Sequence, residues 1–230
     1  MALALDSPTL LLYTEHGSLL PKNAPQRTRR RTPDFSRDEI LDTARNMFAI
    51  QGYDGVTIRK IASEIGCSPG TIYLHFAGKA EIFETLCEET FSKLSERLTA
   101  IARDDDDPVE CLRRGCRAYI SFGLEHQSHY LVTFVMARKS AIMQDVGADR
   151  PNIAAAGIRC FENLHRMVKR CADGGQLRMN NADEVSQVIW TSLHGLVSLL
   201  ITHCQFPFVE QSRLIERQLD VIVEGIRARP

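Results

Sequence analysis

No apolar run in this chain approaches the ~18–20 residues that would span a bilayer. The nearest stretch, Trp190 to Ile201, is interrupted by Thr191, Ser192, His194 and Ser198. The first 21 residues hold no Lys or Arg, whereas a secretory signal starts with a positive segment ahead of an unbroken apolar one. Leu10-Leu11-Leu12-Tyr13 is too short for that role, so a soluble, cytoplasmic protein with no membrane partner is expected. Net charge is nearly absent too, with 28 Lys+Arg against 29 Asp+Glu. A hydrophobic content of 44% excludes a wholly disordered chain. With Gly 14 and Pro 9, a collagen-like chain is excluded as well. The seven cysteines form no CxxC pair and are odd in number, which speaks against a disulfide framework or a thiolate metal site. Scattered singly among apolar residues, they read as small core hydrophobes in a reducing compartment. Catalytic signatures are missing: no His-x-x-x-His, no Gly-x-Ser-x-Gly, no P-loop and no carboxylate pair on an apolar face. Enzyme activity, a cofactor and a metal site are therefore not expected.

What is present is enough chain, 230 residues, for one large domain or two small ones with a sizeable core. Its neutrality conceals a division of charge. Residues 1–21 carry −2, residues 22–79 carry +4 and residues 80–230 carry −3. Much of the positive excess lies in Arg27-Thr28-Arg29-Arg30-Arg31. A solvated tail would explain that run by itself; a basic front on an acidic chain also fits an anionic partner.

The segment behind it reads as three short helices. Ser36-Arg37-Asp38-Glu39 has the form of a capping box. Ile40, Leu41, Ala44, Met47 and Phe48 then form one apolar stripe of a helix ending at Gly52. Thr57 caps a second helix whose inner face is Ile58, Ile61, Ala62 and Ile65, and Gly66 ends it. Ser68-Pro69 is an N-cap followed by proline at the first helical position. It opens a two-turn third helix reaching about Phe76, with Ile72 and Phe76 inward. Two short helices around a Gly-containing turn make a helix-turn-helix, whose second member enters the major groove. Gly70 leaves room for close approach, Thr71 offers a hydroxyl and a methyl to base edges, and Tyr73 and His75 reach phosphates. Ser68 and the amides beside it suit a phosphate oxygen. A helical hairpin with the same caps and no ligand remains the alternative on spacing alone.

The run Ile40-Leu41-Asp42-x-Ala44…Phe48…Gly52-Tyr53…Thr57-Ile58-Arg59-Lys60-Ile61-Ala62…Gly66-Cys67-Ser68-Pro69-Gly70-Thr71-Ile72-Tyr73-x-His75-Phe76-x-Gly78-Lys79 resembles the DNA-binding domain of the tetracycline-repressor (TetR) family. In that family, residues matching Arg59, Thr71, Tyr73, His75 and Lys79 touch operator DNA. The resemblance implies those roles here, with Thr57, Lys60, Ser68 and Gly70 completing the candidate surface. Cys67 stands where the family usually has Val, and Ala80-Glu81-Ile82 replaces the commoner acidic-acidic-Leu. Neither change removes a contacting group.

Beyond Lys79 the periodicity is helical throughout. A long helix is expected from Lys79 to Ala102, then helices near 109–125, 128–141, 151–173, 182–203 and 209–227. Asp104-Asp105-Asp106-Asp107 reads as a solvated linker whose last residue caps the next helix. His129-Tyr130-Leu131-Val132-x-Phe134, Gly175-Gln176-Leu177-Arg178 and Trp190-x-x-x-His194-Gly195-Leu196 resemble a TetR subgroup whose ligand domain carries a Trp…His-Gly signature. The family resemblance implies that the last two helices form a four-helix dimer interface. Leu193, Leu196, Val197, Leu200 and Ile201, then Leu214, Ile215, Leu219, Ile222 and Ile226, supply apolar stripes for it. Aromatic and polar groups on the middle helices could line a small-molecule pocket. They are Phe122, His126, Phe134, Phe161, His165, Trp190 and His194, with Tyr130 beside them. Each also has a plain reading as core, Trp190 and Phe161 above all.

The expectation is an all-α protein in three parts. Residues 1–33 form a disordered tail with a basic end, 34–79 a helix-turn-helix DNA-binding domain, and 80–230 a helical bundle for ligand and dimerisation. Its expected function is a sequence-specific transcriptional regulator, a homodimeric repressor that a largely apolar effector releases from double-stranded operator DNA. A helical enzyme using His126, His165 or His194, or an adaptor that has lost DNA, would be the rival classes.

Overall fold

The computed structural model describes residues 35–103, 107–136, 151–179 and 181–228, with the side chains of 151 and 152 left aside. The basic tail, Asp104 to Asp106 and the second half of the helix expected at 128–141 lie outside them. Among the described residues, nine α-helices follow one another: α1 Arg37–Gly55, α2 Ile58–Ile65, α3 Pro69–Tyr73, α4 Lys79–Ala102, α5 Pro108–Glu125, α6 Gln127–Tyr130, α7 Pro151–Asp173, α8 Ala182–Thr202 and α9 Gln211–Ile226. A π-helical segment, Leu131–Met136, continues α6. Extended pairing among the described residues is limited to the isolated bridge of Leu177 with Arg227.

The caps explain the head. Ser36 Oγ accepts from the Glu39 amide at 3.2 Å, and the Ser36 amide donates to Glu39 Oε2 at 2.8 Å, which closes the capping box. Gly52 has φ +74°, so the regular part of α1 breaks there as expected, although one further turn carries the helix on to Gly55. Gly66 ends α2 at φ +84°, and the amides of Gly66 and Cys67 both bond to Ala62 O. The third helix stops at Tyr73, shorter than its apolar spacing predicts, although His75 and Phe76 still donate backbone hydrogen bonds to Ile72 O. Asp107 precedes α5 without capping it; its carboxylate instead accepts from Gln176 Nε2 at 2.7 Å.

Two apolar clusters result. The first joins Ile40, Leu41, Phe48, Tyr53, Ile61, Ile72 and Phe76 to Ile82, Phe83 and Leu86 of α4 and to Val132 of the π-helical segment. The head therefore shares its core with the start of the body. Arg45, 7% exposed, adds an ion pair with Asp42 and another with Glu89 on α4 at 3.2 Å. The second cluster runs through α4, α5, α7, α8 and α9. Buried Asn163 ties α7 to α4, accepting from Thr99 Oγ1 and donating to Ser95 Oγ, both at 2.9 Å. Arg113 and Arg117 of α5 hold α9 through Asp220 at 2.8 Å and Glu216 at 2.7 Å. A Cβ on Gly123 would lie 2.5 Å from Val197 Cγ1, so that glycine lets α8 lie close on α5.

Cys87, Cys111, Cys116, Cys160 and Cys171 are buried thiols outside any disulfide, as a core role requires, whereas Cys204 is exposed in the turn after α8. Helix α8 is long and apolar enough to cross a membrane by length and composition. The interrupted run seen in the sequence hides this, because the apolar residues occupy two faces. Val185, Ile189, Leu193 and Val197 are buried, while Val188 and Leu199 are exposed, as is Val221 on α9.

Candidate nucleic-acid interface and effector cavity

The outward surface of the head is built on α2 and α3. Thr57 Oγ1 accepts from the Lys60 amide at 3.2 Å, starting α2. Arg59 is exposed, and among the described residues it has no ion-pair partner. Lys60 is exposed but tethered, its Nζ donating to Gly55 O at 2.6 Å. Ser68 Oγ accepts from the Thr71 amide at 3.2 Å and lies 3.1 Å from Thr71 Oγ1. Ile72 and Phe76 are buried, which turns Gly70 and Tyr73 outward and leaves Thr71 and His75 partly exposed. Lys79 opens α4; its Nζ donates to Tyr53 O at 3.1 Å and sits 3.8 Å from the centre of the Tyr53 ring. That leaves the ammonium two further N–H groups in a fixed place. The nine candidate residues thus fall on the capped ends and outer faces of α2 and α3, on the turn after α3 that holds His75, and on the start of α4. One neighbour escaped the sequence reading: Leu74 is 84% exposed beside Tyr73 at 56%. Its signal was a large apolar residue next to the inward pair Ile72 and Phe76 on a helix too short to bury it.

A cavity of about 510 Å³ opens in the body between α4, α5, the π-helical segment, α7 and α8. Phe134, Phe161, Trp190 and His194 line it. Three other candidates stand elsewhere. Phe122 is buried against His126, with ring centroids 4.9 Å apart. His126 ends α5, donating its amide to Phe122 O. His165 Nε2 pairs with Asp183 Oδ1 at 2.9 Å. Helical periodicity placed these groups on inner faces without distinguishing the faces that border open space. It also missed Phe91, Tyr119, Thr133 and Gln187. Facing small residues were the available signal: a Cβ on Gly115 would lie 2.5 Å from Met167 Sδ, and one on Gly157 3.3 Å from the Phe91 ring.

One wall of the cavity is a polar network. Tyr130 Oη lies 2.8 Å from His194 Nδ1 and donates to His194 O at 3.2 Å. Tyr119 Oη is 3.3 Å from the same ring nitrogen. Burial raises the Tyr119 hydroxyl well above its ordinary value and pushes Tyr130 up to about 12. The thiols of Cys116 and Cys160 are likewise pushed up to about 12 by burial. These hydroxyls and thiols therefore stay protonated near pH 7. Outside the cavity, His129 Nε2 is buried without a hydrogen-bond partner among the described residues. Burial first, and then the charges of Arg45, Lys93 and His126, lower it to about 4.

The π-helical segment joins the two sites. Val132 is fully buried in the head's core, while its neighbours Thr133 and Phe134 line the cavity. Phe134 also packs edge-on against Phe91 of α4 at 5.3 Å.

The family profile described as "Bacterial regulatory proteins, tetR family" matches residues 40–86, and "Tetracyclin repressor-like, C-terminal domain" matches residues 112–222. The chain belongs to the TetR family. Among TetR-family relatives, the HTH-type transcriptional repressor AcnR of Corynebacterium glutamicum is 41% identical over 64 residues, 28% of this chain and 34% of the relative. The chain thus matches about a third of the length of that repressor. The HTH-type transcriptional regulator AcrR of Shigella flexneri is 22% identical over 172 residues, 74% of this chain and 79% of AcrR. Two solved TetR-like structures share the fold. The ketosteroid transcriptional regulator KstR2 of Mycobacterium tuberculosis has a TM-score of 0.67 at 22% identity, covering 84% of this chain and 95% of its own. FadR from Bacillus subtilis in complex with stearoyl-CoA has a TM-score of 0.69 at 21% identity, covering 83% and 100%.

Proposed function

We propose that this chain is a cytoplasmic, dimeric, sequence-specific repressor that leaves its operator when a small, largely apolar effector occupies the body, and that it is not an enzyme. One observation carries the reading. Helix α3 and the turn after it direct Tyr73 and Leu74 outward while Ile72 and Phe76 root them in the core from which α4 starts. Arg59, Thr71 and Leu74 are the base-reading candidates, the last through a thymine methyl. Tyr73, His75, Lys79 and the amides behind Ser68 meet phosphates. The folded head, residues 35–79, has five basic and five acidic side chains. The attraction for DNA then falls to the arginines of the 1–33 tail, which steer without reading.

Two heads are needed to read two half-sites one helical turn apart. Val188, Leu199 and Val221 give α8 and α9 an apolar face for a second copy. An effector that moves Phe134 also moves Val132 and hence the seat of α3, which shifts the population away from the DNA-competent spacing of heads.

The test is selection of bound duplexes from random DNA with the full-length protein, and sedimentation of the product. An inverted repeat with half-sites about 10 bp or a multiple apart, bound by two chains, is expected. A monomer that enriches no sequence would overturn the reading.

A further inference from the structure

We propose that Arg37, which lies outside the candidate surface built on α2, α3 and the start of α4, is a fixed contact for a DNA backbone phosphate. This rests on the reading of the head as a DNA-binding module and adds a residue to it. Arg37 is exposed on the first turn of α1, yet its guanidinium is not loose. Its Cζ lies 4.7 Å from the centre of the Phe76 ring, and its Nη2 donates to Thr85 Oγ1 at 3.3 Å. Thr85 Oγ1 in turn donates to Glu81 O at 2.9 Å, so its proton is spent and only lone pairs are left for the guanidinium. One ring and one hydroxyl thus hold a cation on the corner between α3 and α4. Phe76 follows His75 directly and precedes Lys79 by three residues.

That corner shows the arrangement twice. Lys79, a candidate phosphate contact, sits with its Nζ over the Tyr53 ring in the same manner. Tyr53 and Phe76 are each 2% exposed and belong to one core cluster, so both rings are rigid seats for a cation. The neighbouring acids do not claim Arg37. Glu39 Oε2 accepts from the Ser36 amide and hydroxyl, and Glu81 Oε2 accepts from the Ala77 amide. Among the described residues Arg37 has no carboxylate partner. Arg45, by contrast, is buried between Asp42 and Glu89, and Lys60 is tied to Gly55 O. A guanidinium stacked on a ring and bonded once keeps most of its N–H donors open. Its planar fork matches two oxygens of a phosphate, and its rotamer freedom is already given up before DNA arrives. Such a contact fixes the register of the head on the duplex without reading a base.

The experiment titrates the full-length protein onto a random-sequence duplex of about 30 bp between about 50 and 200 mM salt, since a phosphate contact needs no operator. Arg37→Ala is expected to weaken binding about 3–10-fold and to make the slope of log affinity against log salt shallower by about 1 per chain. Arg37→Lys should keep the slope and lose part of the affinity, because the charge stays and the fork goes. Thr85→Val, which alters no charge, should weaken binding about 2–5-fold at an unchanged slope. A native slope in Arg37→Ala would overturn the proposal; with a lowered urea midpoint beside it, Arg37 would be a tie between α1 and α4 and nothing more. Loss confined to an operator selected from random DNA would make Arg37 a base contact and overturn it equally. Native affinity in Thr85→Val would remove the hydroxyl from the assigned seat. If the native chain binds no duplex even at the lowest salt, the DNA reading itself fails; if it binds and Arg37→Ala matches it, that reading stands and this contact alone is lost.

Discussion

Beneath the face proposed to read DNA, Phe48, Tyr53 and Phe83 interlock with ring centroids 5.2 to 5.8 Å apart. In the body, Phe91, Phe161 and Trp190 stand instead around about 510 Å³ of open space. Both regions use the same kinds of side chain, so aromatic content does not separate a filled core from a hollow one. What differs is the small residues opposite. The head meets its rings with Ile40, Leu41, Ile61 and Ile72, whereas the body sets Gly115, Cys116, Gly157 and Cys160 along the cavity wall. Large groups meeting large groups make the head a rigid block. Large groups meeting small ones leave the body room for a guest.

This contrast can be broken most directly by truncation. Phe48→Ala should cost about 3–5 kcal/mol of unfolding free energy, because the packed head cannot collapse around the gap. Phe161→Ala, already bordering space, should cost about 1–2 kcal/mol on the same ground. Equal losses in urea denaturation would erase the distinction. Next comes Gly123→Ala, whose added methyl meets the branched side chain of Val197 at 2.5 Å. A loss of about 1–3 kcal/mol is expected, and an unchanged midpoint would mean that α5 and α8 separate easily.

Within the head, Arg59→Ala should weaken operator binding by about 1–3 kcal/mol and relax preference at one base pair, leaving the melting temperature alone. Removing residues 1–33 should act oppositely: similar losses on every duplex, and a salt slope shallower by about 3–4 if four arginines meet phosphates. Uniform loss from Arg59→Ala would make it a phosphate contact.

The last effect is a pH slope. His129 is lowered to about 4 from its ordinary 6.5, so the unfolded chain takes up the proton first as pH falls. Stability should decline from about pH 6.5 and level off below about 4. Denaturation series of the native chain and His129→Phe should diverge over that window; parallel curves would remove the histidine from the account.

The head was legible because its signals are local. Ser36, Thr57 and Ser68 each cap a helix within three residues, and Gly52 and Gly66 carry the positive φ that ends or breaks one. The bounds of α4 could be read for the same reason, one apolar stripe running from Lys79 to Ala102. The cavity was harder. Whether His126, His165 or Tyr119 faces open space depends on residues of other helices, such as Asp183 for His165 and His194 for Tyr119. The π-helical turn at Leu131–Met136 has no residue signature comparable to a capping serine.

The short pairing of Leu177 with Arg227 sits at the far end of the molecule's sequence. The Arg178 amide donates to Ile226 O at 3.0 Å and the Ala228 amide to Gln176 O at 2.7 Å. A terminal helix ordinarily frays from its last turn. Here that turn is buttoned to the bend leaving α7, so a tilt of α7 drags the final helix along, and a tag fused directly after Ala228 would pull on the buttonhole.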